Sequence, residues 1–241
     1  MSQFFKLLSA LFILGFGFAA LPASADLNTR DRAIVRQEIE TFIKANPEIL
    51  RDALISLAQQ EKANQRLVGI NNVRQDAGDP VMGNPDGKIT VYEFSDYNCG
   101  YCKRMFGTIQ AMLEANSDVR MVIKEFPILS QTSLTAAKAG IAAHKQNKFE
   151  EFHIAMMTYR GKVTDSSIMD AAAGAGLDMN QLGRDMNSNA TDMIIERTRA
   201  AAAALEINGT PGMVIGETVI PGAIDLEQLQ SVIDDERAKL S

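Results

Sequence analysis

The chain is poor in cysteine and histidine: only two of each occur among its 241 residues. Two cysteines three positions apart cannot build a framework of well-separated disulfides, and a bridge over so short a loop removes little chain entropy. A chain of this length can bury a hydrophobic core without disulfides or a metal ion. The cysteines are therefore predicted to serve chemistry rather than stability.

The scarcity of histidine argues against a structural zinc site. His144 and His153 are nine positions apart, which on one helix would place them on opposite faces. Zinc fingers separate their histidines by about three to five residues. We predict no metal site, and surface or helix-cap positions for both histidines.

Positive charge and long apolar runs are also limited. The formal net charge is −6 and no basic cluster occurs, which argues against nucleic acid as a partner.

The apolar run from Leu7 to Leu21 is shorter than the roughly 20 residues of a membrane span. It follows Lys6 and precedes Ala23-Ser24-Ala25, a pattern typical of a signal peptide. We predict that residues 1–25 are removed and that the mature chain, of charge about −7, is soluble and exported.

Both cysteines lie in the stretch Cys99-Gly100-Tyr101-Cys102, where an apolar strand gives way to a helix. Two residues between cysteines in a first helical turn bring the sulfur atoms close enough to form and break a bond without unfolding. This spacing is typical of a redox couple.

The residues ahead of this stretch predict a helical arm. Residues 29 to about 67 show two amphipathic helices that divide at Asn46-Pro47, because Asn is a good N-cap and Pro a good first helical residue. Residues 61–76 are predicted to hold the helix end and a linker, and 79–88, rich in Pro and Gly, to form turns. The pattern leaves open whether the arm packs on its own domain or meets other subunits. We assign residues 26–78 to an oligomerisation arm and linker, and 79–241 to a second domain.

The second domain alternates strands and helices before and after a helical block. The first strand, helix and second strand fit a βαβ unit. The predicted elements are strands at 89–94 and 119–126 with a helix from Cys99 to about Asn116 between them, four or five helices over 133–205, a hairpin of 213–215 and 218–220, and a final helix capped by Asp225 and ending near Lys239.

Several local motifs accompany this order of elements. They are Glu93-Phe94, Asp96-Tyr97-Asn98 before the cysteines, Phe126-Pro127, Lys148-Phe149-Glu150-Glu151-Phe152-His153 and Gly209-Thr210-Pro211. Together they resemble the DsbA-like thioredoxin-fold family, and within it exported proteins of the ScsC (suppressor of copper sensitivity) type, which carry an N-terminal helical arm. The resemblance runs from about Thr29 to Leu240. It implies an α/β thioredoxin fold with a helical domain inserted at about 130–205.

The resemblance also implies catalytic roles. Cys99 is expected at the helix start as an exposed nucleophile, where unpaired N–H groups and the helix dipole favour its thiolate. Cys102 is expected to be more buried and to attack the mixed disulfide. Glu93 matches the buried acid of the family, with a pKa raised by desolvation, and accepts the proton of that second step. Lys124 is either its charge partner or a surface residue.

Substrate-binding roles are implied for two further segments. Thr210-Pro211 is expected to form the cis-proline loop that faces the cysteines, with the Thr210 backbone pairing with an extended substrate segment. Gly100-Tyr101 replaces the Pro-His of DsbA, so Cys99 lacks one source of thiolate stabilisation and the couple should be less oxidising. Gly-Tyr, like Thr before the proline, resembles exported disulfide isomerases.

The function implied is that of a periplasmic thiol-disulfide oxidoreductase, first of all a disulfide isomerase or reductase, with no cofactor beyond the Cys99–Cys102 disulfide. Its expected partners are unfolded or misoxidised exported proteins, a membrane thiol reductase of DsbD type or oxidase of DsbB type, and further copies of the chain through the arm. A DsbA-like dithiol oxidase and a Cu(I)-binding metal-tolerance protein remain alternatives. Met179, Met186 and Met193 repeat every seven residues, which predicts a core stripe before a copper ladder.

Overall fold

The computed structural model describes residues 28–240, so the predicted signal peptide at 1–25 lies outside the described residues. The chain divides into two compact units, one ending at Ser56 and the other beginning at Leu57. Among the residues that the structure describes, no helix combines the length and apolar character needed to cross a membrane.

The first unit holds helix α1, Thr29–Ala45, and the beginning of helix α2, Pro47–Arg74. The Asn28 side chain caps α1 by accepting from two backbone N–H groups, and Asn46 ends it. The predicted division at Asn46-Pro47 is therefore confirmed. No side chain of α1 is buried in the chain.

Helix α2 continues into the second unit and ends at Arg74, within the segment 61–76 predicted to hold the helix end and a linker but beyond the helix end predicted near Leu67. The physical reason is burial: Gly69, Ile70 and Val73 lie on one side of the helix and are buried. A Cβ at Gly69 would lie 2.6 Å from a methyl carbon of Leu205. This end of α2 therefore packs closely against Leu205 within the second unit.

The centre of the second unit is a five-stranded sheet in the order β1-β3-β2-β4-β5. Strands β2 and β3 are parallel, and the other neighbours are antiparallel. Strand β1 falls in the segment predicted as turns, since three residues are too few to show an alternating pattern. The strands are β1 Val81–Gly83, β2 Ile89–Ser95, β3 Val119–Glu125, β4 Gly212–Ile215 and β5 Thr218–Pro221.

The helices of this unit match the predicted order. Helix α3 connects the two parallel strands, five helices form the inserted block, and the last helix follows the hairpin. The predicted α/β class with a helical insertion and N-terminal helices is confirmed. The helices are α3 Gly100–Ala115, α4 Gln131–Lys145, α5 Phe149–Thr158, α6 Asp165–Gly174, α7 Met179–Met186, α8 Asn189–Ala204 and α9 Leu226–Lys239.

The two faces of the sheet are covered by different clusters because successive strand residues point to opposite sides. Val91 of β2 packs into the cluster that contains helix α3, whereas Tyr92 and Phe94 pack into the cluster of Ile70 and Val73. Glu93 and Ser95 therefore share the face of Val91. This alternation decides which polar side chains meet at the thiol pair.

Candidate dithiol site

Cys99 occupies the N-cap position of helix α3, directly after the loop that follows β2. Its sulfur accepts a hydrogen bond from the backbone N–H of Cys102, with an Sγ to N distance of 3.3 Å. The first turn of a helix has N–H groups without helical partners, and here one of them is directed at the sulfur. Both cysteines are free thiols in this structure.

The loop carrying the cis Thr210–Pro211 peptide lies over this sulfur. The Thr210 carbonyl oxygen is 3.1 Å from Cys99 Sγ. Cys99 is only 5% exposed, and Cys102 is 1% exposed. The order of burial matches the expectation, but the prediction that Cys99 is exposed is wrong because the proline loop covers it.

The pKa values of the two thiols are shifted in opposite directions. A hydrogen bond from the Cys102 thiol, supported by the backbone N–H groups of Cys102 and Tyr101, lowers the pKa of Cys99 from 9.0 to about 5. The same hydrogen bond, together with burial and the charge of Glu93, raises the pKa of Cys102 above its ordinary value. At neutral pH the pair therefore consists of a Cys99 thiolate and a Cys102 thiol.

Glu93 is buried on strand β2, with 2% of its surface exposed. Burial, with a smaller contribution from the Cys99 charge, raises the pKa of Glu93 to about 7, although Ser95 opposes part of the rise. A carboxyl group with this pKa is half ionised near neutral pH, which suits a proton acceptor. Its charge acts in turn on Cys102.

Lys124 is not the charge partner of Glu93, and it is not a surface residue. Its ammonium lies 2.6 Å from Asp79 Oδ2, and both side chains are fully buried. Lys124 follows Ile123, the parallel partner of Glu93, and so points to the opposite sheet face. Arg197 of α8 completes this separate ion cluster at 2.9 Å from the same Asp79 oxygen.

The loop ahead of Cys99 is fixed by Asp96 and Asn98. Asp96 Oδ2 accepts from the backbone N–H groups of Ile128 and Leu129, at 3.0 and 3.1 Å. Asp96 Oδ1 accepts from the Asn98 N–H at 2.8 Å. The Asn98 amide then donates to Ser133 Oγ at the start of α4. The Asp96-Tyr97-Asn98 motif thus ties the active loop to the segment after β3.

Two exposed tyrosines lie on or against the first turn of helix α3. Tyr101 is 62% exposed, and the Arg104 guanidinium lies 4.1 Å from its ring centre. Tyr159 is also exposed, and its carbonyl accepts from Lys103 Nζ at 2.9 Å. Gly100 and Tyr101 were predicted for this surface, whereas Tyr159 was not, because it lies far away in the sequence and belongs to no motif.

Both predictions for His153 are wrong, since it is neither a surface nor a cap residue. It is 1% exposed, and its Nδ1 lies 3.0 Å from the Tyr97 hydroxyl. Burial lowers the pKa of His153 to about 3. The only sequence signal was its place in the Lys148 to His153 motif. His144 is half-buried and packs its ring against Phe149.

The predicted methionine stripe is also wrong. Met179 and Met186 lie at the two ends of α7, and Met193 lies on α8, so the repeat spans two helices. Met193 is 63% exposed and only Met186 packs against the core. Within residues 28–240, no group of three or more His, Cys, Asp or Glu side chains is placed to hold a metal ion.

A thiol pair of this kind at a strand-to-helix turn, opposite a cis-proline loop, defines a thioredoxin-like redox protein. The chain belongs to the family of the DSBA-like thioredoxin domain, whose model matches residues 90–234. The predicted resemblance to the DsbA-like family is thereby confirmed. This is a family of thiol-disulfide oxidoreductases.

Two solved structures show how far the similarity extends. A thioredoxin-like oxidoreductase from Silicibacter pomeroyi is 40% identical, covers 70% of this chain and 97% of its own, and superimposes with a TM-score of 0.67. ScsC from Proteus mirabilis, in a transitional conformation, is 29% identical, covers 88% of this chain and all of its own, and has the same TM-score. The ScsC match supports the predicted resemblance to that type.

Two other relatives carry different names. The thiol-disulfide exchange protein α-DsbA2 from Wolbachia pipientis is 26% identical, covers 74% of this chain and 97% of its own, and has a TM-score of 0.66. The Na⁺/H⁺ antiporter NhaA 1 of Mycolicibacterium gilvum is 27% identical over 142 residues, which is 57% of this chain and 23% of the antiporter. The chain thus spans about a quarter of the length of the curated relatives it matches.

Proposed function

We propose that the protein is an exported, periplasmic thiol-disulfide oxidoreductase that acts on protein disulfides through Cys99 and Cys102. The observation that carries the proposal is the pairing of an acidic Cys99, with a pKa near 5, with a buried Cys102 thiol on the next helical turn. No bound cofactor is needed, because the Cys99–Cys102 pair itself stores two electrons. The leader pattern at 1–25 supports export.

The reduced pair exchanges disulfides in two steps. The Cys99 thiolate attacks a substrate disulfide, forming a mixed disulfide and releasing one substrate thiolate. The Cys102 thiol then gives its proton to Glu93 and attacks Cys99 Sγ, which releases the second substrate thiolate and leaves the Cys99–Cys102 disulfide. The protein loses two electrons and the substrate gains them. A membrane thiol reductase of DsbD type, or an oxidase of DsbB type in the opposite direction, resets the pair.

The substrate is an extended polypeptide that binds across the proline loop. The Thr210 backbone beside Pro211 lies next to the reactive sulfur, as pairing with an added strand requires. Gly100 at the helix start has no side chain, and exposed Tyr101 and Tyr159 offer aromatic contacts. Unfolded or misoxidised exported proteins present such segments.

Among possible directions we favour isomerase or reductase activity over oxidation. The Cys99 pKa of about 5 lies between about 7 for thioredoxin and about 3.5 for DsbA. A less acidic nucleophile than that of DsbA stabilises the reduced form less and makes the couple less oxidising. The Gly100-Tyr101 pair, which has no imidazole, fits this intermediate position.

The reduction potential tests this direction. We expect a value between those of thioredoxin and DsbA, about −270 to −120 mV, measured by equilibration with glutathione buffers. A Tyr101→His variant should shift the potential upwards, because an imidazole next to Cys99 stabilises the thiolate. A wild-type value at the DsbA end would instead favour the dithiol oxidase.

The N-terminal helices support assembly with further copies of the chain. Within the described part of the first unit, residues 28–56, no other side chain covers their exposed apolar side chains. Burying such a surface against an identical one removes it from water. A protein that corrects wrong disulfides benefits from several active sites acting on one client. The exposed side chains are Ile34, Val35, Ile39, Phe42, Ile49, Leu50, Leu54 and Ile55.

Charge placed on this apolar surface should break the assembly. We expect Phe42→Glu with Leu54→Glu to sediment as a monomer that still reduces a model disulfide but no longer rescues scrambled protein. The matched control is Gln37→Glu with Gln59→Glu, which adds equal charge to exposed polar positions. A wild-type chain that already sediments as a monomer would contradict the proposal.

A further inference from the structure

Three buried polar side chains form a hydrogen-bonded group that the proposed exchange reaction does not use. The Tyr97 hydroxyl lies 3.0 Å from Glu125 Oε1 and 3.0 Å from His153 Nδ1. All three residues are at least 98% buried. Buried polar groups are costly unless they are paired, and a network of this kind fixes the position of each member.

The three residues come from separate parts of the fold and meet behind the active loop. Tyr97 lies two positions before Cys99, Glu125 ends strand β3, and His153 belongs to helix α5 of the inserted block. The His153 ring also packs edge-on against Phe106 of the active-site helix α3, with 5.5 Å between ring centres. The group therefore connects the Cys99 loop, the sheet, the active helix and the inserted block.

Space for the group is provided by Gly140 of helix α4. A Cβ at this position would lie 2.6 Å from Glu125 Oε1 and 3.0 Å from the Tyr97 hydroxyl. The first distance is shorter than the contacts that real Cβ atoms make, and the second is tighter than most of them. The helix thus closes directly over the hydroxyl and carboxyl, and excludes water from them.

Glu125 is the second buried carboxyl on the sheet face that holds Glu93. Glu125 pairs with Ser95 in the parallel register, and Glu93 lies two residues before Ser95 on the same face. Ser95, which lies between them in this register, is also buried. Two buried carboxyls this close are not ionised together at low cost, so one of them stays neutral.

The protons of the group can be placed from the bond that Tyr97 makes to Glu125. The Tyr97 hydroxyl donates its single proton to Glu125 Oε1, so its bond to His153 requires the Nδ1–H of the imidazole to donate. Burial raises the pKa of Glu125 and lowers that of His153 to about 3. Both groups are therefore neutral near pH 7, and Glu125 accepts from Tyr97 as an uncharged carboxyl.

We propose that Tyr97, Glu125 and His153 are positioning residues of the dithiol site. A protonated Glu125 holds Tyr97, and through it the Cys99 loop, while leaving Glu93 as the carboxyl that exchanges protons. This assignment rests on the proposed thiol chemistry. The titratable groups around Glu125 are Glu93, Asp96 and Tyr97 from β2 and its loop, Asp79 from the segment before β1, and His153 from α5.

Two substitutions at Glu125 separate positioning from packing. Glutamine reproduces a protonated carboxyl, because it is uncharged and its amide oxygen can accept from Tyr97, and Glu125→Gln should keep the Cys99 alkylation midpoint and the exchange rate of the wild type. Methionine fills the space without a hydrogen bond. Glu125→Met should fold, yet raise the alkylation midpoint by about one pH unit or more and slow exchange roughly tenfold or more.

Tyr97→Phe should repeat the effect of Glu125→Met. Its matched control is Tyr92→Phe, which removes a hydroxyl bonded to Asp76 on the other sheet face and should leave both readouts unchanged. If Tyr97→Phe does not fold, the comparison of Glu125→Gln with Glu125→Met tests the proposal by itself.

Wild-type behaviour of a folded Glu125→Met protein would overturn the proposal. So would a Glu125→Gln protein whose Cys99 midpoint or exchange rate is altered, because an ionised Glu125 must then have been neutralised. The alkylation midpoint does not require turnover, so it tests the network even if the proposed exchange activity is absent. Conversely, an active wild type with an unaffected Glu125→Met variant contradicts only the network.

Discussion

Cys102→Ser is expected to accumulate mixed disulfides between Cys99 and client proteins, and to lose multiple turnover completely. The variant keeps the nucleophile at the helix start but lacks the buried thiol that attacks Cys99 Sγ in the second step. The first exchange therefore proceeds and the complex is not resolved from within the protein. Non-reducing electrophoresis of protein isolated from its own compartment should show a ladder of bands that reductant removes.

Cys99→Ser is the matched control for this experiment. Its remaining thiol, Cys102, is 1% exposed and has a raised pKa, so it should form no client adducts. The same pair of variants separates the redox enzyme from a Cu(I)-binding protein. A protein that only binds copper through the two thiols should trap no clients in either variant, and that result would contradict the proposed reaction.

Glu93→Gln is expected to slow the second step while making the folded protein more stable at alkaline pH. An amide cannot accept the Cys102 proton, and general-base catalysis is worth about 10²- to 10⁴-fold in rate. Formation of the mixed disulfide by Cys99 should change much less. Rapid-quench measurement of the two steps therefore separates them.

The stability effect has a defined sign. The pKa of Glu93 is about 7 in the folded chain, above its ordinary 4.5, so the folded state binds more protons than the unfolded state between these values. The stability contributed by the protonated carboxyl is complete below pH 4.5 and is lost as the pH rises through 7. Glutamine does not titrate. The change in the free energy of unfolding caused by Glu93→Gln should therefore be about 3 kcal/mol more favourable at pH 8 than at pH 4.

Urea unfolding at pH 4 and pH 8 measures this difference. Glu114→Gln, at an exposed position of the same active-site helix α3, is the matched control and should show no such pH dependence. An equal stability change at both pH values for Glu93→Gln would mean that the carboxyl titrates normally. A full rate for the second step would remove Glu93 from the reaction.

The elements around the cysteines could be predicted from sequence because their signals are local. The apolar strand, the Cys99 N-cap position, the hairpin around Gly216 and the Asp225 cap each depend on a few neighbouring residues. The short motif predicts that Cys99 and Cys102 share the first turn of a helix, and the structure places both of them there. Their acidity follows from the same local geometry.

What sequence did not reveal depends on contacts between distant segments. Tyr97 meets Glu125 and His153 across 28 and 56 positions, and no periodicity records such a meeting. The face of the sheet that Lys124 occupies follows from the parallel register, which neither strand specifies alone. The covering of Cys99 likewise depends on Thr210, which is 111 residues away.

The pH dependence of Cys99 alkylation shows whether Cys99 is the acidic, reactive thiol of the pair. The reduced protein is treated with a thiol reagent from pH 4 to pH 9, and modification at Cys99 and Cys102 is followed separately by peptide mass. We expect Cys99 to react with a midpoint near pH 5 while Cys102 stays unmodified. A Cys99 midpoint near its ordinary pKa of 9.0 would show that the thiolate is not stabilised.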